Sequence, residues 1–250
     1  MSFRDDFNTL DTDKWEVYST LPSSSVDIYN GHLRFRLVMD LDEKGIIGLR
    51  YKSRLDLRGK KVTFTPKFVR DSSYIHSWLG IAVTNYPFDW YNRNPQAMRG
   101  FTFWLAGSGN INRFCAAWQL LGGNIFRPAE FECIEYPPLM NCRVGNNGIY
   151  IYVGDTLLDY KMVTFDLSQA YLQLCAPAFA IDTDTTEVLV DYIEVAPTDV
   201  PETQPDIKQG STLEMPLFPP GTIPSIFSAL MLPIIGNALV GLAERVKPRR

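Results

Sequence analysis

The 250-residue chain has a net charge of −4, with 46% hydrophobic and 13% aromatic residues. This is enough apolar material for one large β-domain or two small ones. Residues 1–197 have a net charge of −4, so no basic face of the main domain indicates a nucleic-acid partner.

The chain begins MSFRDDFNTL, without the apolar segment of a signal peptide. From residue 3 to 197 it then consists of short alternating runs separated by turn residues. VDIYNGHLRFRLVMD contains Asn30-Gly31, a hairpin-turn pair, followed by apolar residues at alternate positions. GIYIYVGDTLLDY has a second turn at Gly154-Asp155. Without helical periodicity in these runs, the pattern predicts an antiparallel β-sandwich of the jelly-roll type.

Residues 85–100, NYPFDWYNRNPQAMRG, form the longest irregular segment and predict a surface loop. Long loops with aromatic side chains are often functional. Aromatic faces stack on the CH groups of sugars, which makes Trp90 and Tyr91 candidate glycan contacts. The alternative is that Phe88, Trp90 and Tyr91 cap the edge of the sandwich. Two other tryptophans lie in apolar runs and are expected to pack in the core: Trp78 and Trp104.

Four cysteines occur, and none of their spacings is that of a metal site. Cys133 and Cys142 flank a Pro-Pro turn. They either close a short disulfide loop or remain buried free thiols. The cysteines therefore do not indicate whether the protein works in an oxidising or a reducing compartment.

The composition changes after Pro197. Residues 198–221 are rich in proline and acidic residues, which predicts an extended spacer. From Met215 to Ala243 the chain has no charged residue. Residues 223–243 as a helix would rise about 31 Å, the thickness of a bilayer's hydrocarbon core.

We therefore expect a transmembrane or apolar anchor helix at 222–244 and a basic tail at 245–250. The large apolar residues of the anchor are Ile223, Phe227, Leu230, Leu232, Ile235, Leu239 and Leu242. The basic residues of the tail are Arg245, Lys247, Arg249 and Arg250. The alternative is that this segment packs in the protein core of an oligomer.

Three segments resemble concanavalin-like jelly rolls, a group that includes laminin-G-like modules and family 16 glycoside hydrolases. FRDDFNTLDTDKW with NGHLRFRL resembles their opening, GIYIYVGDTLLDY resembles a hairpin they share, and TEVLVDYIEV resembles their closing strand. The resemblance covers residues 3–195 and implies one concanavalin-like β-sandwich at 1–197.

The resemblance also implies where an active site would lie. The hydrolases carry the pattern E-x-D-x-x-E on one strand. Its first glutamate is the nucleophile, the aspartate is the helper and the last glutamate is the general acid. AEFECIEYPP gives Glu130, Glu132 and Glu135 this spacing, with glutamate in place of the middle aspartate. An alternating strand with Glu130 and Glu132 towards solvent and Phe131 towards the core explains the same residues.

Related jelly rolls hold a calcium ion near the chain ends, with a closing-strand carboxylate and carbonyls of the N-terminal hairpin. Asp191 and Gly31 match those positions. A second acidic group consists of Asp182, Asp184 and Glu187. Their carboxylate oxygens are of the type that binds calcium, and the alternative is that they form a solvated turn. Calcium is therefore the one cofactor that the sequence suggests.

The anchor leads us to expect a non-enzymatic, single-pass membrane-anchored structural or attachment protein of a surface assembly. Positive charge after the helix favours the β-domain on the outer side, as in the shell or spike of a membrane-containing virion. The expected partners are lipid, further subunits or copies of the chain, and nucleic acid only at the basic tail. Two alternatives remain: a glycan-binding, lectin-like module, and a membrane-anchored glycoside hydrolase acting on a β-glucan or galactan.

Overall fold

A computed structural model describes residues 2–88, 98–106, 114–121, 129–133, 139–145, 148–163 and 166–199. Within these ranges the chain forms two antiparallel sheets and no helix. The predicted all-β sandwich is confirmed. The predicted spacer beyond residue 199, the anchor helix and the basic tail lie outside the described residues.

The larger sheet has eight strands. Seven of them follow in the spatial order β13 (Thr156–Met162), β12 (Gly148–Val153), β11 (Met140–Val144), β6 (Lys60–Arg70), β15 (Asp184–Pro197), β4 (His32–Met39) and β3 (Ser25–Tyr29). The eighth, β1 (Phe3–Asp5), pairs with β15. First and last strands are therefore neighbours, which brings the two ends of the β-domain together.

The smaller sheet has seven strands. Their spatial order is β10 (Ala129–Cys133), β9 (Phe114–Leu121), β8 (Gly100–Ala106), β7 (Ile75–Thr84), β14 (Tyr171–Ala180), β5 (Lys44–Tyr51) and β2 (Trp15–Ser19). For β10, and for β9 apart from Trp118 and Leu121, the description is of backbone pairing.

The two hairpin turns predicted from the sequence form at the predicted positions, Asn30-Gly31 and Gly154-Asp155. Asn30 and Gly31 both have positive φ, 51° and 76°, as a tight two-residue hairpin between β3 and β4 requires. Gly154 has φ 57° in the turn between β12 and β13. Most side chains with a Cβ are strained in this region. Glycine has no Cβ, and asparagine tolerates the region because its short polar side chain can hydrogen-bond locally.

The main core lies between the sheets and is built from alternate residues of the strands. Phe35, Phe64, Phe103 and Leu174 are fully buried there. Phe64 of the larger sheet and Phe103 of the smaller sheet meet edge to face, with ring centroids 6.0 Å apart. Such pairs stabilise by about 0.5–1.5 kcal/mol beyond the area they bury.

Cys142 lies in this core as a free, buried thiol. The disulfide alternative with Cys133 is therefore wrong, because the two residues lie in different sheets and Cys142 has no sulfur partner. Burial raises the pKa of the Cys142 thiol to about 12. The thiolate, the reactive form, is accordingly suppressed at neutral pH.

A hydrogen bond ties the two sheets together near the β10 end of the sandwich. The indole Nε1–H of Trp118, on β9, donates to Asp159 Oδ2, on β13, at 2.9 Å. Trp118 is buried and Asp159 is only partly exposed. The contact fixes the position of β9, and β9 is the strand on which β10 pairs.

No helix within the described ranges has the length and apolar character that crossing a membrane requires.

We predict that Asp159→Ala lowers the free energy of unfolding by about 1–3 kcal/mol, because it leaves a buried indole N–H without an acceptor. Urea denaturation followed by fluorescence measures the change. Asp155→Ala is the matched control, since Asp155 is an exposed residue of the preceding turn. Equal stability of the two variants would contradict a structural role for the Trp118–Asp159 bond.

Candidate functional site

The smaller sheet has a second face, opposite the main core, which we call the outward face. Phe103 and Leu174 point into the core, so the alternating residues Trp104 and Cys175 lie on the outward face. Residues directly opposite each other in paired antiparallel strands share a face. The strand register therefore shows which other residues belong to it.

Glu130 and Glu132 lie on the outward face. Glu130 pairs with Ala117, and Ala117 pairs with Trp104. Glu132 is two residues further along the same strand and thus on the same face. β10 is the last strand of the sheet, so both glutamates lie at its edge. Glu135, the third predicted carboxylate, lies outside the described residues.

The centre of the outward face is apolar. A cluster of buried residues, separate from the main core, covers strands β5, β14, β7 and β8, and we call it the second cluster. Its members are Ile46, Ala82, Phe88, Met98, Trp104, Leu121 and Cys175, with Tyr18 and Trp78 packed against them. Trp78 and Trp104 thus pack in an apolar cluster as expected, but on the outward face rather than between the sheets.

Described carboxylates of the strands on this face occur only at its two edges. Glu16 on β2 lies at the edge opposite Glu130 and Glu132, and it pairs with Arg50 at 3.2 Å. The strands between them carry no described carboxylate on this face, and their buried polar residues there include Thr102 and Gln173. Within the described ranges, two carboxylate residues of one strand share this face only at the β10 edge.

Burial governs the titratable groups near the centre of the face. It raises the pKa of Cys175 to about 12 and that of Tyr18 well above its ordinary value. Burial also lowers the pKa of His76, which lies on the outward side of β7. All three groups are held in their neutral forms at neutral pH, so none of them adds a charge to this face.

The carboxylate of the calcium site implied by the resemblance is engaged by a histidine in the structure. Asp191 Oδ1 lies 2.9 Å from His32 Nδ1, next to Gly31 in the N-terminal hairpin. An imidazole nitrogen at that distance competes with a calcium ion for the carboxylate, because calcium takes six to eight oxygen ligands. Among the described residues, no group of three or more His, Cys, Asp or Glu is arranged to hold a metal ion.

The second acidic group is engaged by neighbouring side chains. Asp184 accepts hydrogen bonds from Ser72 and Arg70, and the bond from the Ser72 hydroxyl is the main cause that lowers the pKa of Asp184. Glu187 accepts a hydrogen bond from Arg36. Asp182 accepts one from the backbone N–H of Thr183. These contacts are those of a solvated acidic hairpin, the alternative expected from the sequence.

Three residues that meet on the outward face were not assigned a functional role from the sequence: Gln173, Tyr18 and Phe88. Gln173 and Tyr18 lie in ordinary strand runs, and Phe88 was identified only as an edge cap. Trp90 and Tyr91, the predicted glycan contacts, lie outside the described residues. Phe88 packs in the second cluster, on the outward face rather than at the edge of the sandwich.

The fold recurs in solved structures of carbohydrate-active enzymes. One is the catalytic domain of an endo-1,3-β-glucanase (laminarinase) from Thermotoga petrophila, with a TM-score of 0.56 and 10% identity, over 77% of this chain and 95% of that chain. Bacillus licheniformis β-glucanase aligns with a TM-score of 0.55 and 11% identity, over 80% and 98%. A structure described with endo-acting O-glycanases of the human gut microbiota aligns with a TM-score of 0.57 and 12% identity, over 79% and 99%. No family model and no curated protein matches the sequence.

The fold is a concanavalin-like jelly roll. The resemblance drawn from the sequence is confirmed for the fold of the β-domain. The prediction of a non-enzymatic structural or attachment protein is corrected, because solved structures that share this fold include glucanases and other glycoside hydrolases. They agree with the hydrolase alternative better than with a virion component.

We predict that calcium does not stabilise the β-domain, because His32 engages the Asp191 carboxylate. The melting temperature should be unchanged by addition of calcium or of EDTA, as measured by differential scanning fluorimetry. His32→Asp, which replaces the competing imidazole with a second carboxylate, should make the melting temperature respond to calcium. A fall of the wild-type melting temperature in EDTA, reversed by calcium and absent in Asp191→Asn, would contradict this assignment.

Proposed function

We propose that the chain is a glycoside hydrolase that acts on a β-linked glucan or galactan, with its active site at the β10 edge of the outward face. The observation that carries the proposal is the β-pairing of β10, which gives Glu130 and Glu132 the same face as Trp104. The jelly-roll fold, shared with glucanases, supports it at the level of architecture.

The chemistry needs two carboxyl groups on either side of the scissile bond. In retaining hydrolysis they lie about 5–5.5 Å apart, one as nucleophile and one as acid and then base. Glu130 is the proposed nucleophile, Glu135 the general acid and Glu132 the helper that orients Glu130. Glu130 attacks the anomeric carbon while Glu135 gives its proton to the departing oxygen. Glu135 then takes a proton from the water that releases the glycosyl group from Glu130.

A second candidate function is glycan binding without cleavage. It is supported by the aromatic residues of the 85–100 segment, because aromatic faces stack on the CH groups of sugars. Trp90 and Tyr91 of the 85–100 loop are the proposed sugar contacts in this case. The two candidate functions differ in whether Glu130, Glu132 and Glu135 are needed for a reaction after the glycan has bound.

We also propose that residues 222–244 attach the chain to a lipid membrane. The support is the uncharged stretch from Met215 to Ala243 followed by a basic tail. Self-association of the chain, and contact of residues 245–250 with nucleic acid, stay predictions of the sequence.

We predict that Glu130→Gln and Glu135→Gln each lower hydrolysis by about 10²–10⁴-fold, since each removes a group that reacts. Glu132→Gln should cost less, because that residue acts through Glu130. Release of reducing sugar from β-1,3-glucan, mixed-linkage β-glucan and agarose measures the effect.

Glu16→Gln is the matched control for these variants. Glu16 lies on the same face at the opposite edge and pairs with Arg50, so its loss should leave turnover unchanged. Full binding of a glycan by wild type and by all three glutamate variants, without turnover by any of them, would replace hydrolysis with the lectin-like alternative. Turnover that none of the three substitutions lowers would contradict the assigned residues.

We predict that the full chain sediments with membranes after carbonate extraction, while a chain lacking residues 222–250 stays in the supernatant. Burying about twenty apolar residues in lipid makes the association resistant to high pH and salt. Release of the full chain by carbonate would contradict a membrane-spanning anchor.

A further inference from the structure

Phe88 lies over the middle of the outward face. It is 1% exposed, its ring centroid is 5.9 Å from that of Trp104, and it packs with Met98, Ala82 and Cys175 in the second cluster. A phenylalanine this deeply buried on the face opposite the main core closes that part of the face to solvent.

Gln173 holds Phe88 in place through the backbone. Its Oε1 accepts a hydrogen bond from the Phe88 N–H at 2.5 Å, and its Nε2 donates to the Phe88 carbonyl at 3.1 Å. The same Nε2 donates to the hydroxyl of Tyr18 at 2.6 Å. Gln173 is fully buried, so an amide without these partners would be strongly destabilising there. The side chain therefore specifies the position of Phe88 rather than merely allowing it.

Tyr18 supports Gln173 from the other side. Its ring lies across Gly48, where a Cβ would come within 2.7 Å of the Tyr18 hydroxyl. The Arg50 guanidinium stacks over the Tyr18 ring at 5.0 Å. A chain of contacts thus runs from the β2 edge to Phe88, and it fills the half of the face that lies away from Glu130.

The part of the face between Trp104 and β10 is narrow. β8, which carries Trp104, and β10, which carries Glu130, are two strand spacings apart, or about 10 Å. A glycan that ran from β10 across the sheet towards β2 would meet Phe88, Met98 and Trp104 within that distance. Only a short length of sugar fits between Glu130 and this barrier.

We propose that Phe88, positioned by Gln173, makes the outward face a site for the end of a glycan chain rather than for an internal segment. This inference rests on the proposed function, and it specifies which part of a substrate the site accepts. Phe88 is thereby a specificity-determining residue, and Gln173 a positioning residue that acts through it.

The closure is tested first without any glycan. Hydrogen exchange at the Phe88 amide should accelerate by roughly tenfold in Gln173→Ala, the equivalent of one lost hydrogen bond. Thr102→Val is the matched control, because it changes a buried polar side chain of the same face whose hydroxyl makes no hydrogen bond to a described residue. Acceleration in both variants alike, or in neither, would overturn the role of Gln173.

The consequence for substrate is tested with a β-1,3-glucan polymer and its tetrasaccharide. The wild type should release short sugars while the viscosity of the polymer falls little. Phe88→Ala should increase the rate of viscosity loss several-fold, and Tyr86→Ala, an exposed aromatic of the same segment, should not. If the alanine variant does not fold, the same measurement is made with Phe88→Leu.

Each outcome distinguishes this inference from the proposed function. Wild-type cleavage that lowers viscosity in step with reducing ends would overturn the inference and keep the hydrolase. Binding of the polymer in proportion to its chain ends, measured by calorimetry without turnover, would keep the inference and remove hydrolysis. Absence of both binding and turnover with every β-glucan and galactan probe would overturn both.

Discussion

The architecture depends on a strand that is buried on both faces. In β14, Leu172 and Leu174 pack in the main core, while Gln173 and Cys175 are equally buried on the other side. A two-layer sandwich normally leaves its outer faces to water, so this sheet carries a third layer over its centre. A buried amide in such a position needs partners for its oxygen and its nitrogen. Gln173 meets that need with Tyr18 and Phe88, and so joins the β2 edge to the segment that follows β7.

This constraint also decides where polar chemistry occurs on the face. Charged groups are excluded from the centre, because burying an unpaired carboxylate among Phe88, Met98 and Trp104 would cost several kcal/mol. Arg50 and Glu16 remain as a pair at one edge, and Glu130 and Glu132 lie at the other. The Trp118–Asp159 bond then holds the strand on which β10 pairs. Burial at the centre and the proposed reactivity at the β10 edge thus belong to separate parts of one sheet.

The fold was predictable because its signals are local. Alternation in the strands, the Asn30-Gly31 turn and the Gly154 turn are each encoded within a few residues, and the structure confirms them. The outward face was not predictable, because a strand buried on one face and a strand buried on two faces both contain alternating apolar residues. From the sequence alone, the alternation predicts that Gln173 faces solvent. The structure shows that Phe88, 85 positions away, lies on it. The face occupied by Glu130 follows only from the register of three strands.

The position of β10 has a further effect, on the colloidal behaviour of the domain. An end strand presents unpaired backbone groups that invite another chain to add to the sheet. Glu130 and Glu132 repeat a negative charge at every second residue of that strand. A second copy aligned beside it would bring like charges opposite each other, which opposes pairing. The carboxylates to which we assign the proposed chemistry therefore also protect the edge against aggregation, and removing both together removes that protection.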